Sequence, residues 1–187
     1  MERRHFIKTL CTVGCVCSCG IGHLASKAVA SGEPSGKNED WRASFVQDRY
    51  AKLLALMGER MDARAFGSLM EDLGRFCASR TGIAQRFPGD PDGFFGELRH
   101  RWHADIAYDR DHGKVSIAFA AGSECVCPLL KKGLASGSAC QCSVGSLKGL
   151  FEEVFGGSPD VRIVESVLRG GQRCLFEVTV AKASAKA

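Results

Sequence analysis

The apolar residues of this chain change period near Ala104, and that change limits the folds open to it. From Trp41 to Met61, the residues Val46, Tyr50, Leu53, Leu54, Met57 and Met61 fall on one helical face. Phe66, Leu69, Met70, Leu73, Phe76 and Cys77 repeat the pattern behind Asp62, a natural N-cap. Cys77 continues that stripe and reads as a small buried thiol. Asp90-Pro91 places a cap before a proline at the first helical position, opening a short third helix with Phe94, Phe95 and Leu98.

Beyond Ala104 the apolar period falls to two. Ala104-Ile106-Tyr108 and Val115-Ile117-Phe119 alternate on either side of Arg110-Asp111-His112-Gly113, which reads as a hairpin turn. One helical run interrupts the strands. From Ser143 to Phe155, Leu147, Leu150, Phe151, Val154 and Phe155 line one face, and Gly156-Gly157 can end it. Two more strands follow, Val161 to Leu168 and Arg173 to Val180, joined around Gly170-Gly171. The expected fold is α+β: N-terminal helices, then a mainly antiparallel sheet of two hairpins with an intervening helix, helices covering one face.

The start of the chain reads differently. Arg3-Arg4-His5-Phe6-Ile7-Lys8 resembles a twin-arginine export signal, a receptor-read address rather than an anchor. The apolar stretch from Thr9 to Ala25 is broken by Gly14, Gly20 and Gly22, and is too short for a span of about 20 residues. Ala28-Val29-Ala30 offers a cleavage site. Residues 1–30 are therefore expected to be a leader, 31–40 a flexible linker, and 41–187 a single domain. The resemblance implies the twin-arginine translocase as a partner and a periplasmic or other extracytoplasmic location, with no stable membrane span after cleavage. The leader holds Arg3, Arg4, Lys8 and Lys27 against Glu2, so most of the formal net charge of +4 belongs to it. The rest carries no basic stripe, which argues against nucleic acid as a partner.

The chemistry concentrates in thiols. Cys125 and Cys127 can aim both sulfurs to one side if that segment is extended, and Cys140 and Cys142 can do the same across a Gly/Ser/Lys loop. Such a set suits thiolate ligation of a metal. A two-residue turn at Gly170-Gly171 would pair Val167 with Cys174 and Glu165 with Phe176. Glu165 then becomes the diagonal neighbour of Cys174, an inward carboxylate needing a partner such as a metal ion or an arginine. Cys142 also precedes a helix, whose N-terminus would lower its pKa and make it a candidate nucleophile. His100 and His103 are candidate bases or ligands.

Several of these residues carry a family resemblance. Cys125-x-Cys127-Pro128, Cys140-x-Cys142, Gly145, Lys148, Phe151-Glu152, Phe155-Gly156 and Glu165 to Gly171 with Cys174 resemble the L-2-amino-thiazoline-4-carboxylic acid hydrolase-like family. The same segment looks like the V4R domain, a small-molecule-binding α/β module of sensors. That resemblance implies a zinc site beside a ligand pocket, with Cys142, Glu165 and Cys174 as ligands. Leu168 stands near the place of a further family cysteine, and Cys125, Cys127 or Cys140 is the candidate replacement.

Three functions follow as expectations. The first is an exported small-molecule-binding domain in which Cys125, Cys127, Cys140, Cys142, Glu165 and Cys174 supply a zinc site, or an iron site, beside an apolar pocket. The second is a hydrolase of C–N or cyclic amide-like bonds, with Cys142 as nucleophile and His103 or Glu165 as base, or with metal-bound water. The third is a disulfide scaffold linking the two C-x-C pairs.

Overall fold

The structure, a computed structural model, describes residues 37–122 and 124–180, with side chains from Trp41 onward. Arg3, Arg4, Ala28 and Ala30, read as signal residues, lie outside the described residues. Helix α1 spans Lys37–Arg60 and so begins inside the stretch expected to be a linker. Asp62 caps α2 (Ala63–Thr81), its Oδ1 accepting from the backbone N–H of Arg64 at 3.0 Å and Ala65 at 2.9 Å. Two of the orphan donors of that helix end are satisfied in this way. Asp90 caps α3 (Pro91–Trp102), accepting from the Gly93 N–H at 3.0 Å. No helix among the described residues is long and apolar enough to cross a membrane.

Strands β1 (Asp105–Asp109) and β2 (Lys114–Ala118) form the first hairpin, with Ile106 opposite Ile117 and Tyr108 opposite Val115. Helix α4 (Gln141–Phe155) precedes β3 (Asp160–Glu165) and β4 (Leu175–Thr179). The sheet order is β1-β2-β4-β3, antiparallel throughout. Ile106, Ile117, Phe176 and Ile163 stand in one row across the four strands, and Tyr108, Val115, Val178 and Val161 in the next. Both rows share one face. They pack on Phe94, Phe95 and Leu98 of α3 and on Leu150, Phe151 and Val154 of α4. The other face carries Ser116 and an ion pair between Arg162 and Glu177. Helices on one face and solvent on the other is the arrangement the alternation predicts.

The second hairpin departs from expectation. β3 ends at Glu165, a 3-10 turn covers Val167–Arg169, and Ile163 rather than Glu165 faces Phe176. The ladder is irregular between Ile163 and Glu165. The cause is local. Glu165 Oε1 accepts from the backbone N–H of Gln172 at 2.6 Å and Arg173 at 3.2 Å, and the Gly171 N–H donates to the Ser166 carbonyl at 2.9 Å. These bonds close a wider turn than two residues. Because Phe176 moves by two places, the apolar faces still coincide.

Helices α2 and α4 cross at unusually close range. A Cβ on Gly74 would collide with the Cys142 carbonyl, and one on Gly145 would collide with the backbone of Glu71. Two glycines thus let the backbones touch. Lys148 Nζ on Glu71 Oε2 at 2.7 Å and Arg75 Nη2 on Glu152 Oε1 at 2.9 Å flank the crossing. On its far side α2 meets α1 through Leu54, Phe66 and Met70, a second apolar cluster that also takes in Leu130 and Ala139.

Candidate functional site

The close crossing of α2 and α4 leaves an apolar cavity of about 360 Å³ beside it. Its walls come from every layer of the fold. Cys77 stands on α2, Trp102 at the end of α3, Phe119 just after β2, and Phe176 on β4. Cys142, Ser143, Ser146 and Leu147 come from the first two turns of α4, and the segment from Val126 to Leu130 forms the rim. Trp102 and Phe119 lie 5.9 Å apart between ring centroids, and Phe119 and Phe176 meet edge to face at 6.3 Å. The volume falls within the range of about 300–1,000 Å³ usual for ligand pockets.

The rim is tied down at both ends. Gln47 Nε2 of α1 donates to the Pro128 carbonyl at 2.6 Å, and the Leu130 N–H donates to the Cys127 carbonyl at 3.1 Å. Leu130 is buried in the α1–α2 cluster. On the other side the Phe119 N–H donates to the Cys174 carbonyl at 3.0 Å.

The residues of the expected metal set differ in what they pack against. Cys127 and Cys142 line the cavity, and Cys125 packs with them against the same apolar cluster. Cys140 is buried below the crossing, where its Sγ lies 3.0 Å from the Oγ of Ser166, itself buried. Cys174 belongs to the core behind the sheet. Glu165 already has partners, two backbone N–H groups and the Arg173 guanidinium at 3.5 Å. Those backbone N–H bonds, that of Gln172 first, hold its carboxyl below the ordinary range. Glu165 is thus taken up by the turn and by Arg173, and is not offered to a metal ion. No group of three or more His, Cys, Asp or Glu among the described residues is arranged to hold one. All six described cysteines are unbridged.

Two expectations about single thiols need correction. Cys77 is exposed at the cavity instead of buried in the core. The buried face of α2 is Phe66, Met70, Gly74 and Ala78, so Leu69, Phe76 and Cys77 of the expected stripe fall outside it, and the small Gly74 meets α4. Cys142 lies in the first turn of α4, yet its thiol is pushed up to about 12, first by burial and then by the neighbouring Cys77 and Cys127. The helix end does not prevail over that environment. Burial likewise pushes Cys125 up to about 11 and raises Cys127, and it pushes the Tyr50 phenol up to about 12. Burial therefore keeps Cys127 and Cys142 of the wall neutral at neutral pH. Neither His100 nor His103 lines the cavity.

Trp102 and Gly74 escaped the sequence reading, and Phe119 was read there only as the end of an alternating strand. Gly74 had a signal: Gly74 and Ala78 are spaced four apart on α2, and small residues at that spacing let helices approach closely. Trp102 ends α3 and Phe119 lies just past β2, where periodicity is silent about side-chain direction.

Comparison with known proteins bears on the fold. Residues 101–185 match a family of unknown function (DUF6144), which spans less than half of the chain. No curated protein matches. The chain is similar to a trafficking protein particle complex subunit 3 from Naegleria fowleri, solved covalently bound to palmitic acid. The identity is 14%, the TM-score 0.53, and the match covers 77% of this chain and 98% of that one. The two share a fold. A vinyl-4-reductase family protein from Methanocaldococcus jannaschii is 15% identical over 80% of this chain and 83% of that one, at a TM-score of 0.38. That lower score leaves the shared fold resting on the first structure.

Proposed function

We propose that this domain binds an elongated apolar molecule, best an acyl chain, in the cavity between α2, α4 and the Val126–Leu130 rim. The observation that carries the reading is the cavity wall. It is apolar from Trp102 to Phe176, and burial keeps its Cys127 and Cys142 thiols neutral. An apolar wall gains about 25 cal/mol for each Å² of apolar surface that a ligand removes from water. It offers no paired charge to a polar substrate. Palmitic acid on the structurally similar trafficking subunit is consistent with this choice. The raised thiols and the absence of His100 and His103 from the wall speak against Cys142 as a nucleophile at neutral pH.

A covalent form is a second reading, favoured by the exposure of Cys77 at the cavity. The Cys77 sulfur would attack the carbonyl of an acyl thioester, expel the donor thiol, and release its own proton to that thiol. The chain would then lie in the cavity.

Titration of the full chain with a fluorescent fatty acid, followed by displacement with palmitic acid, tests the reading. Saturable binding at one site is expected, abolished in Ser146→Phe, which fills the cavity from α4. No saturable binding, or unchanged binding in that variant, would refute it.

Export is part of the proposal and rests on Arg3-Arg4 and Ala28 to Ala30 alone. Replacing both arginines by lysine should leave the protein in the cytoplasmic fraction. Continued appearance in the periplasm would remove the twin-arginine route from the account.

A further inference from the structure

The thiols near the cavity differ in what engages them. Cys125 accepts from the backbone N–H of Cys127, and Cys127 from those of Leu129 and Leu130, so the rim itself holds both sulfurs. Cys140 is engaged by Ser166. Cys77 and Cys142 are left to each other, with their thiols within hydrogen-bonding reach. They come from different helices, α2 and α4, and both line the cavity.

The backbone fixes this meeting. The Cys142 carbonyl occupies the place that a Cβ on Gly74 would take. Cys77 follows Gly74 by one helical turn on the same side of α2. Both sulfurs therefore hang from a crossing whose closest contact holds them together. The two thiols are unequal in access. Cys77 is exposed, whereas Cys142 is half-buried. Exposure suits the first to meet an outside reagent, and burial suits the second to react with its neighbour.

We propose that Cys77 and Cys142 are a redox-active dithiol, which low-molecular-weight disulfides convert to a bridge between α2 and α4. The Cys77 sulfur attacks one sulfur of the small disulfide, forming a mixed disulfide and expelling one thiolate, which takes up the Cys77 proton. The Cys142 sulfur then attacks the Cys77 sulfur. That step closes the bridge and expels the second thiolate, which takes up the Cys142 proton. Two protein thiols are oxidised, and one small disulfide is reduced to two thiols. An excess of small thiol reverses both steps. The bridge lies in the cavity wall, so the redox poise around the protein sets the state of that wall. A bridged Cys77 has no sulfur for an acyl group, so the bridge and the covalent reading above exclude one another. The inference itself rests on the two thiols and not on any ligand.

The reduced full chain is incubated with hydroxyethyl disulfide and followed by peptide mapping without reductant, which resolves its ten cysteines one by one. A transient mixed disulfide on Cys77 is expected first. The peptides of Cys77 and Cys142 should then appear joined, with fragment ions placing the bond at Cys142 and not at Cys140. Dithiothreitol should separate them again. Cys142→Ser should stop at the mixed disulfide. Cys77→Ser, a change at an exposed side chain, should leave Cys142 unbridged. Cys127→Ala should close as the native chain does. The closed form should melt higher than the reduced one, because a cross-link over the long α2–α4 loop restricts the unfolded chain. A mixed disulfide that never closes, or a bridge from Cys77 to any other cysteine, would overturn the proposal. So would a bridge that forms only in urea, or one that lowers the melting temperature. No acyl chain is added in these measurements, so this inference and the ligand reading fail separately.

Discussion

The carbonyl of Cys142 lies directly against Gly74, so the first turn of α4 is set by a helix crossing that only glycine permits. The position of a cavity thiol therefore depends on a residue with no side chain.

Gly74→Ala and Gly145→Ala should each destabilise the protein by about 3 kcal/mol or more, because the new Cβ meets backbone and not a flexible side chain. Gly96→Ala is the control. It has open space in α3 and should stabilise by up to about 1 kcal/mol. Urea unfolding measures all three. Equal and small effects would mean that the helices do not touch at these glycines.

Much of the fold was legible in the sequence, and the site much less so. Asp62 and Asp90-Pro91 marked helix starts because caps act through their own neighbours. Alternation placed Ile106, Val115, Ile117 and Val178 on the buried face because a strand has only two sides. Register in the last hairpin was missed, since Glu165 spends its carboxylate on the turn, a tertiary choice that no period reveals. The sequence reading singled out the thiols as a group. Their division among cavity, Ser166 contact and sheet core depends on how α2 and α4 cross, which periodicity does not encode.

Thiol reactivity should follow position. At neutral pH, Cys77 should be the first of the described cysteines to be alkylated by iodoacetamide, being the exposed one. Cys142 and Cys125 should lag, as burial keeps them protonated. Cys140 and Cys174 should react only on unfolding. Peptide mapping over time reads the order. Cys142 reacting first would restore the nucleophile reading.

Alkaline pH should weaken the fold. Cys142 holds its proton more tightly folded than unfolded, so its contribution is fully present below the ordinary value of 9.0 and is lost as pH rises toward about 12. Melting temperature should fall across that window, and Cys142→Ser should flatten the fall. A melting temperature rising with pH there would contradict the burial of these thiols.

Cys140→Ala should cost about 1–3 kcal/mol, because it leaves the buried Ser166 hydroxyl without its partner. Cys140→Ser keeps a donor and should cost less. The double variant with Ser166→Ala should recover part of the loss, as coupled neighbours do. Strict additivity in a double-mutant cycle would show that the two side chains do not interact.

The most direct test of the central claim is native mass spectrometry of the full chain as purified, repeated after palmitic acid is added and after hydroxylamine treatment. The account predicts one acyl-chain mass per protein, either lost on solvent extraction or, if held as a thioester, released by hydroxylamine, and absent in Ser146→Phe. A bare chain that takes up no palmitate, or one carrying a metal ion in its place, would contradict it.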